Sequence, residues 1–138
     1  MLKSVTKPNR EHISFEYDAL GRRTAKIVTS GRAKSKGLIT RFVWDGNVPL
    51  HEWQYNIENR PKLFVNEKGD IELDSEEPIP SVTSGEAEKS QSQLTTWVFE
   101  QDSFVPQAKI VGDKTYSIIC DYLGTPVQAF DDNGKKVW

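Results

Sequence analysis

Sulfur, imidazole and long apolar runs are all scarce in this chain of 138 residues. The single cysteine, Cys120, excludes an intrachain disulfide framework and a thiolate zinc cage. Two histidines, His12 and His51, leave little for any other metal site. No stretch approaches the roughly 18 consecutive apolar residues of a membrane span. The start, MLKSVTKPNR, lacks the apolar segment of a signal peptide, so membrane insertion is not expected. Neither Gly-x-Gly-x-x-Gly nor the Walker signature occurs, which removes nucleotide binding as a motif-based expectation, and no cofactor is expected. The net charge of −2 gives no overall attraction to nucleic acid or to an anionic membrane. The length corresponds to one domain, residues 1–138, since domains run to roughly 100–200 residues.

The distribution of charge says more than its sum. Residues 1–41 carry ten Lys/Arg against three Asp/Glu, whereas residues 67–89 carry eight acids against Lys68 and Lys89. All fourteen aromatics fall outside residues 65–96, and residues 66–96 hold only six apolar side chains. Such a stretch cannot bury enough surface to offset the entropy of ordering. Pro78, Pro80 and the polar run after them point the same way, and residues 66–96 read as a flexible acidic insertion between paired strands. In the basic start, Arg22, Arg23, Lys26, Arg32, Lys34, Lys36 and Arg41 could contact phosphate. The GRAKSKG stretch at 31–37 reads instead as a solvated, positively charged hairpin loop, and nucleic acid is not the expected partner.

Elsewhere a period of two dominates. Ile13, Phe15 and Tyr17 alternate with polar residues; Phe42 and Trp44 flank Val43; Trp97 and Phe99 flank Val98; Tyr116, Ile118 and Cys120 alternate before Asp121. Between these runs stand turn signals at residues 18–21, 45–46, 67–69, 112–113, 121–124 and 132–134. Aspartate serves there because its side chain can accept bonds from the turn's own backbone, and glycine because it supplies positive φ. No apolar run has helical spacing, so the expected fold is all-β, built of antiparallel hairpins. Phe15, Tyr17, Phe42, Trp44, Trp97, Phe99, Tyr116 and Ile118 are the expected packed face.

Residues able to carry chemistry do not form a recognisable constellation. Cys120 lies on an apparently buried strand and reads as a small core residue rather than a nucleophile, which needs a paired base and an electropositive setting. Ser103, His51 and Asp45 can be combined into a triad only on paper, since no Gly-x-Ser-x-Gly elbow surrounds the serine. Residues 70–77 do not have the spacing of a calcium loop. The acids of the insertion lack the burial that would separate two carboxyl pKa values. No catalytic residue and no metal ligand is expected.

The sequence also repeats itself. Phe15-Glu16-Tyr17-Asp18-Ala19-Leu20-Gly21-Arg22-Arg23 and Ile119-Cys120-Asp121-Tyr122-Leu123-Gly124-Thr125-Pro126 share Asp-x-Leu-Gly after an extended segment, and Phe42-Val43-Trp44-Asp45-Gly46 is a shortened relative. One such hairpin needs its neighbours to cover its apolar side chains. Tyr17-Asp18-Ala19-Leu20-Gly21-Arg22 resembles the tyrosine-aspartate (YD) repeat. Asp121, Leu123, Gly124, Thr125 and Pro126, followed by Asp131, Gly134, Val137 and Trp138, resemble the conserved region of Rhs proteins, with Tyr122 where that family usually has histidine. The segments from Phe42 to Glu52 and from Trp97 to Pro106 are similar to those connecting the two, so the resemblance covers both flanks of the insertion.

What the resemblance implies is a late segment of the Rhs β-shell, a spiralling sheet that encloses a polymorphic toxin, with the self-cleaving aspartyl motif and the toxin lying downstream of the matched region. It implies synthesis in the cytoplasm and export with a contact-dependent secretion system. The implied partners are other Rhs/YD repeats, or a toxin or chaperone chain captured by strand addition in an immunity-like manner. Unpaired sheet edges also make a homo-oligomer an expectation.

Overall fold

A computed structural model of the chain describes residues 1–31, 33–80 and 94–138, with the backbone alone at 33–35. Arg32 and residues 81–93, which include Glu86 and Glu88 of the acidic insertion, lie outside the described residues. The architecture is all-β. Among the described residues nine strands form one antiparallel sheet: β1 (Ser4–Thr6), β2 (Glu11–Tyr17), β3 (Arg23–Ser30), β4 (Ala33–Asp45), β5 (Val48–Asn56), β8 (Thr95–Phe99), β9 (Pro106–Val111), β10 (Lys114–Cys120) and β11 (Pro126–Phe130). They lie side by side in chain order, a meander broken between β5 and β8. That gap is filled by a 3-10 turn at Ile57–Asn59 and a separate hairpin of β6 (Leu63–Val65) and β7 (Ile71–Leu73). Residues 33–37, expected in a charged loop, belong to β4, with a register shift opposite Thr29 and Ser30.

The repeat seen in sequence is a repeat of geometry. At Asp18 the backbone N–H bonds to Arg22 O at 2.9 Å, Gly21 N–H bonds back to Asp18 O at 3.0 Å, and Oδ1 accepts both Leu20 N–H and Arg22 N–H at 2.9 Å. The same four bonds recur around Asp121 and Asp131, with Gly124 and Gly134 in the role of Gly21. The side chain thus satisfies two N–H groups that the reversal leaves without ladder partners. The fourth loop position has φ of +81° at Gly21, +81° at Gly124 and +74° at Gly134, which is why glycine stands there.

A fourth copy stands inside the insertion. Asn66 Oδ1 accepts Lys68 N–H and Asp70 N–H at 2.9 Å, and Gly69 has φ of +87°. The turn expected at 67–69 is present, as the turn of the β6–β7 hairpin at residues 66–70, and the reading of residues 66–96 as a flexible acidic insertion is corrected over its first part, where β7 is a strand. An amide oxygen performs the turn as well as a carboxylate does.

The expected packed face is also corrected. Cross-strand partners share a face of a sheet. Ala25, Ile27, Ile39 and Tyr55 form the buried cluster, with Trp53 and Ile57 packed against it. These residues stand on the face opposite Phe15 and Phe42, since Ile39 pairs with Tyr55 and Ala25 with Glu16 and Arg41. Most of the aromatic residues expected in the core, including Phe15, Phe42, Trp97 and Tyr116, are only half-buried, and on that face Ile118 and Ala129 are buried. The core forms where the 3-10 turn and residues 77–80 of the insertion return over the sheet.

Candidate interaction surface

In an antiparallel meander alternate turns lie at the same end of the sheet. The loops after β2, β4, β8 and β10 therefore share one rim, and each of the four motifs singled out in the sequence has a turn there. Side chains tie neighbouring loops together. Arg22 donates from Nε to Asp18 Oδ2 at 2.7 Å and from Nη1 to Gly46 O at 2.8 Å, joining the first loop to the Asp45-Gly46 turn. Trp44 Nε1 donates to Arg23 O at 2.8 Å, and Tyr17, Gly21, Arg22 and Trp44 line one shallow depression with Phe42 and Trp97. Tyr17 Oη donates to Leu2 O at 2.7 Å and so holds the chain just before β1.

The second motif is coupled differently. Gly124 faces Val105 of the preceding rim loop, and Cys120 Sγ contacts Pro106 O at 3.3 Å. Leu123, Thr125 and Pro126 belong to the loop and to the start of β11, while Asp131 and Gly134 form the turn at the opposite end. The structure thus brings Tyr17, Asp18, Gly21, Arg22, Trp44 and Gly46 together and leaves the Asp121 and Asp131 turns as separate units.

The tips of the rim are apolar and wet. Leu20 is 78%, Phe104 70%, Tyr122 94% and Leu123 73% exposed. Phe104 lies in the Trp97 to Pro106 segment, but no turn signal marked its loop, which has no glycine: Asp102 takes positive φ (+56°) and Ser103 Oγ accepts Val105 N–H at 3.1 Å. On the half-buried aromatic face, Trp97, Lys109, Val111, Tyr116, Ile118 and Trp138 line an open groove of about 490 Å3, with Lys109 Nζ 5.2 Å from the Trp97 ring centre.

The two sheet edges differ. At one end β1 pairs, among the described residues, only with β2, in the register Ser4↔Ser14 and Thr6↔His12. Phe15 N–H bonds to Lys3 O and Lys7 N–H to Glu11 O, so the alternation turns the backbone groups of Ser4 and Thr6 outward. At the other end β11 is partly covered by the chain's own last residues, through Val137 N–H to Ala129 O and Ala129 N–H to Trp138 O.

The residues weighed for chemistry are occupied elsewhere. His51 Nδ1 lies 3.0 Å from Thr96 Oγ1, Ser103 Oγ caps its own loop, and no hydrogen bond joins either to Asp45, although Asp45 and Ser103 border one depression. His12 Nδ1 lies 3.1 Å from Thr6 Oγ1. Among the described residues no group of three His, Cys, Asp or Glu could hold a metal ion, and no helix is long and apolar enough to cross a membrane. The chain matches no protein-family model and no curated protein sequence.

Hydrogen bonds from the Arg22 backbone and then its side chain hold the Asp18 carboxyl below its ordinary value of 3.8. A depressed carboxyl stabilises the fold above that ordinary value, and the contribution disappears as the pH falls through the folded-state value. Asp18→Asn keeps the Oδ1 acceptor but loses the charge facing Arg22. The variant is expected to melt lower than the unaltered chain at neutral pH, with the gap closing as the pH is taken below about 4. Parallel melting curves over that range would show that the charge contributes nothing.

Proposed function

We propose that the chain is a non-enzymatic β-hairpin module of the Rhs/YD-repeat class. Its role is to pair edge to edge with neighbouring repeats or with a partner chain, in an assembly that encloses or delivers a toxin. The observation that carries this reading is the recurrence of one loop, with the same four hydrogen bonds, around Asp18, Asp121 and Asp131. Repetition of a single hairpin with a meander topology is the design of an extendable sheet, since every unit covers the next and the last leaves an edge. The motif residues act in this reading as turn builders, and the apolar tips Leu20, Phe104, Tyr122 and Leu123 as contacts for what the sheet rests against.

The test is the mass of the chain in solution, by size exclusion with light scattering over a concentration series. Ser4→Pro removes an outward N–H from β1 without touching the β1–β2 ladder and blocks addition of a strand there. The reading expects a discrete oligomer for the unaltered chain and a shift to monomer for Ser4→Pro. An oligomer that Ser4→Pro leaves intact would exclude pairing through β1, and a monomer at every concentration would exclude self-pairing through either edge.

A further inference from the structure

The face of the sheet that carries the core also carries a convergent set of donors. Arg41 on β4, Trp53 and Tyr55 on β5, and Arg60 just after the 3-10 turn all direct polar hydrogens to one patch. Over it lies the acidic, proline-containing segment Asp74-Ser75-Glu76-Glu77-Pro78-Ile79-Pro80. Glu77 Oε1 accepts a bond from Arg41 Nε and a second from Tyr55 Oη at 2.5 Å. Trp53 Nε1 donates to Pro78 O at 2.8 Å, and Pro80 is buried. Residues 75–80 make no backbone-to-backbone hydrogen bond among the described residues, so side-chain donors hold this segment in place of a strand ladder.

Two properties separate this arrangement from ordinary internal packing. First, the donors do not depend on the segment for their position. Glu16 on β2 accepts Arg41 Nη1 at 3.1 Å and Arg60 Nη2 at 2.6 Å, which fixes both guanidinium groups from beneath. Trp53 packs against the buried cluster and Tyr55 belongs to it. A pre-formed donor set loses little entropy on binding. Second, the chemistry is selective. A carboxylate between an arginine and a phenol selects an acid, the next residue offers its backbone carbonyl to an indole N–H, and proline at that position fixes φ and has no N–H of its own to satisfy.

We propose that this face is a recognition site for acidic, proline-containing peptide segments, filled here in cis by residues 74–80 and open in trans to a partner segment of the same Glu-Pro-x-Pro chemistry. The tether raises the local concentration of the cis segment to the millimolar range, so a free peptide competes only weakly until that segment is released. Salt weakens the recognition, because it rests on partly exposed ion pairs.

The probe is a fluorescent nonapeptide with the sequence of residues 72–80, Glu-Leu-Asp-Ser-Glu-Glu-Pro-Ile-Pro, titrated against the full chain. Glu77→Ala releases the cis segment and is expected to bind the peptide at least about tenfold more tightly than the unaltered chain does. Glu76→Gln, at an exposed side chain outside the contacts, is expected to behave as the unaltered chain. A peptide with glutamine at the position of Glu77 should bind about tenfold more weakly than the parent. Equal affinity of Glu77→Ala and the unaltered chain, or equal affinity of the two peptides, would overturn the proposal. A second measurement does not depend on the variant folding. In the unaltered chain, about millimolar peptide should shift the NMR resonances of the Trp53 indole N–H and of Glu77 and Ile79 while those of β3 to β5 outside the site stay in place, and unchanged resonances at those three residues would equally overturn it.

Discussion

Replacing Gly124 by valine is expected to destabilise the chain by about 2–4 kcal/mol, lowering Tm by about 3 °C for each kcal/mol. Two effects add. A φ of +81° places Gly124 in the left-handed region, where an L side chain costs about 1–2 kcal/mol. A Cβ built on Gly124 would also stand 2.8 Å from Val105 Cγ2, and a β-branched neighbour cannot swing aside as a long flexible chain would. Gly134 separates the two effects. It closes the same loop with φ of +74°, and a Cβ there meets nothing within 4 Å. Gly134→Val is therefore expected to cost only the backbone part, about 1–2 kcal/mol. Equal losses in chemical denaturation would mean that Val105 gives way, and no loss at Gly124 would remove the loop geometry on which the repeat rests.

That pair of glycines also shows which parts of the structure could be read from the sequence. Asp-x-x-Gly is a local statement: one side chain satisfies the loop's own N–H groups, and one residue takes a conformation that others resist. The loops at Asp18, Asp121 and Asp131 were therefore legible, and so were the strands between them, since alternation in Phe15, Phe42, Trp97 and Tyr116 is equally local. The hairpin at Asn66 was legible as a turn signal at 67–69, but the acidic composition around it hid its two short strands. The choice of core face was not local. Aromatic content favoured the face of Phe15 and Phe42, but burial is decided by what covers a sheet, and the cover comes from residues 57–80. Arg41 meets Glu77 across 36 positions, and no spacing rule announces such a pair. The charge partition was a hint of it: the basic start and the acidic insertion meet through Arg41 and Glu77.

Tyr55→Ala is expected to be the most damaging single change, at about 3–5 kcal/mol, which is a large share of the 5–15 kcal/mol that ordinarily holds a domain folded. The side chain is fully buried among Ala25, Ile27 and Ile39, so its removal opens a cavity under the returning segment. Tyr55→Phe keeps the ring and removes only the bond to Glu77, which retains Arg41, and is expected to cost about 1 kcal/mol. The two variants divide the site into its floor and its latch. Alkaline pH offers an independent reading of the latch. Burial first, and the Glu77 carboxylate second, push the Tyr55 phenol above its ordinary value of 10.0. Its neutral form therefore stabilises the fold below that value, and the contribution is lost as the pH rises through the folded-state value. Tyr55→Phe should lose stability less steeply than the unaltered chain above about pH 10. If the two fall in parallel, the phenol is not held by Glu77, and the segment is anchored by Trp53 at Pro78, Arg41 at Glu77 and Lys62 at Asp74.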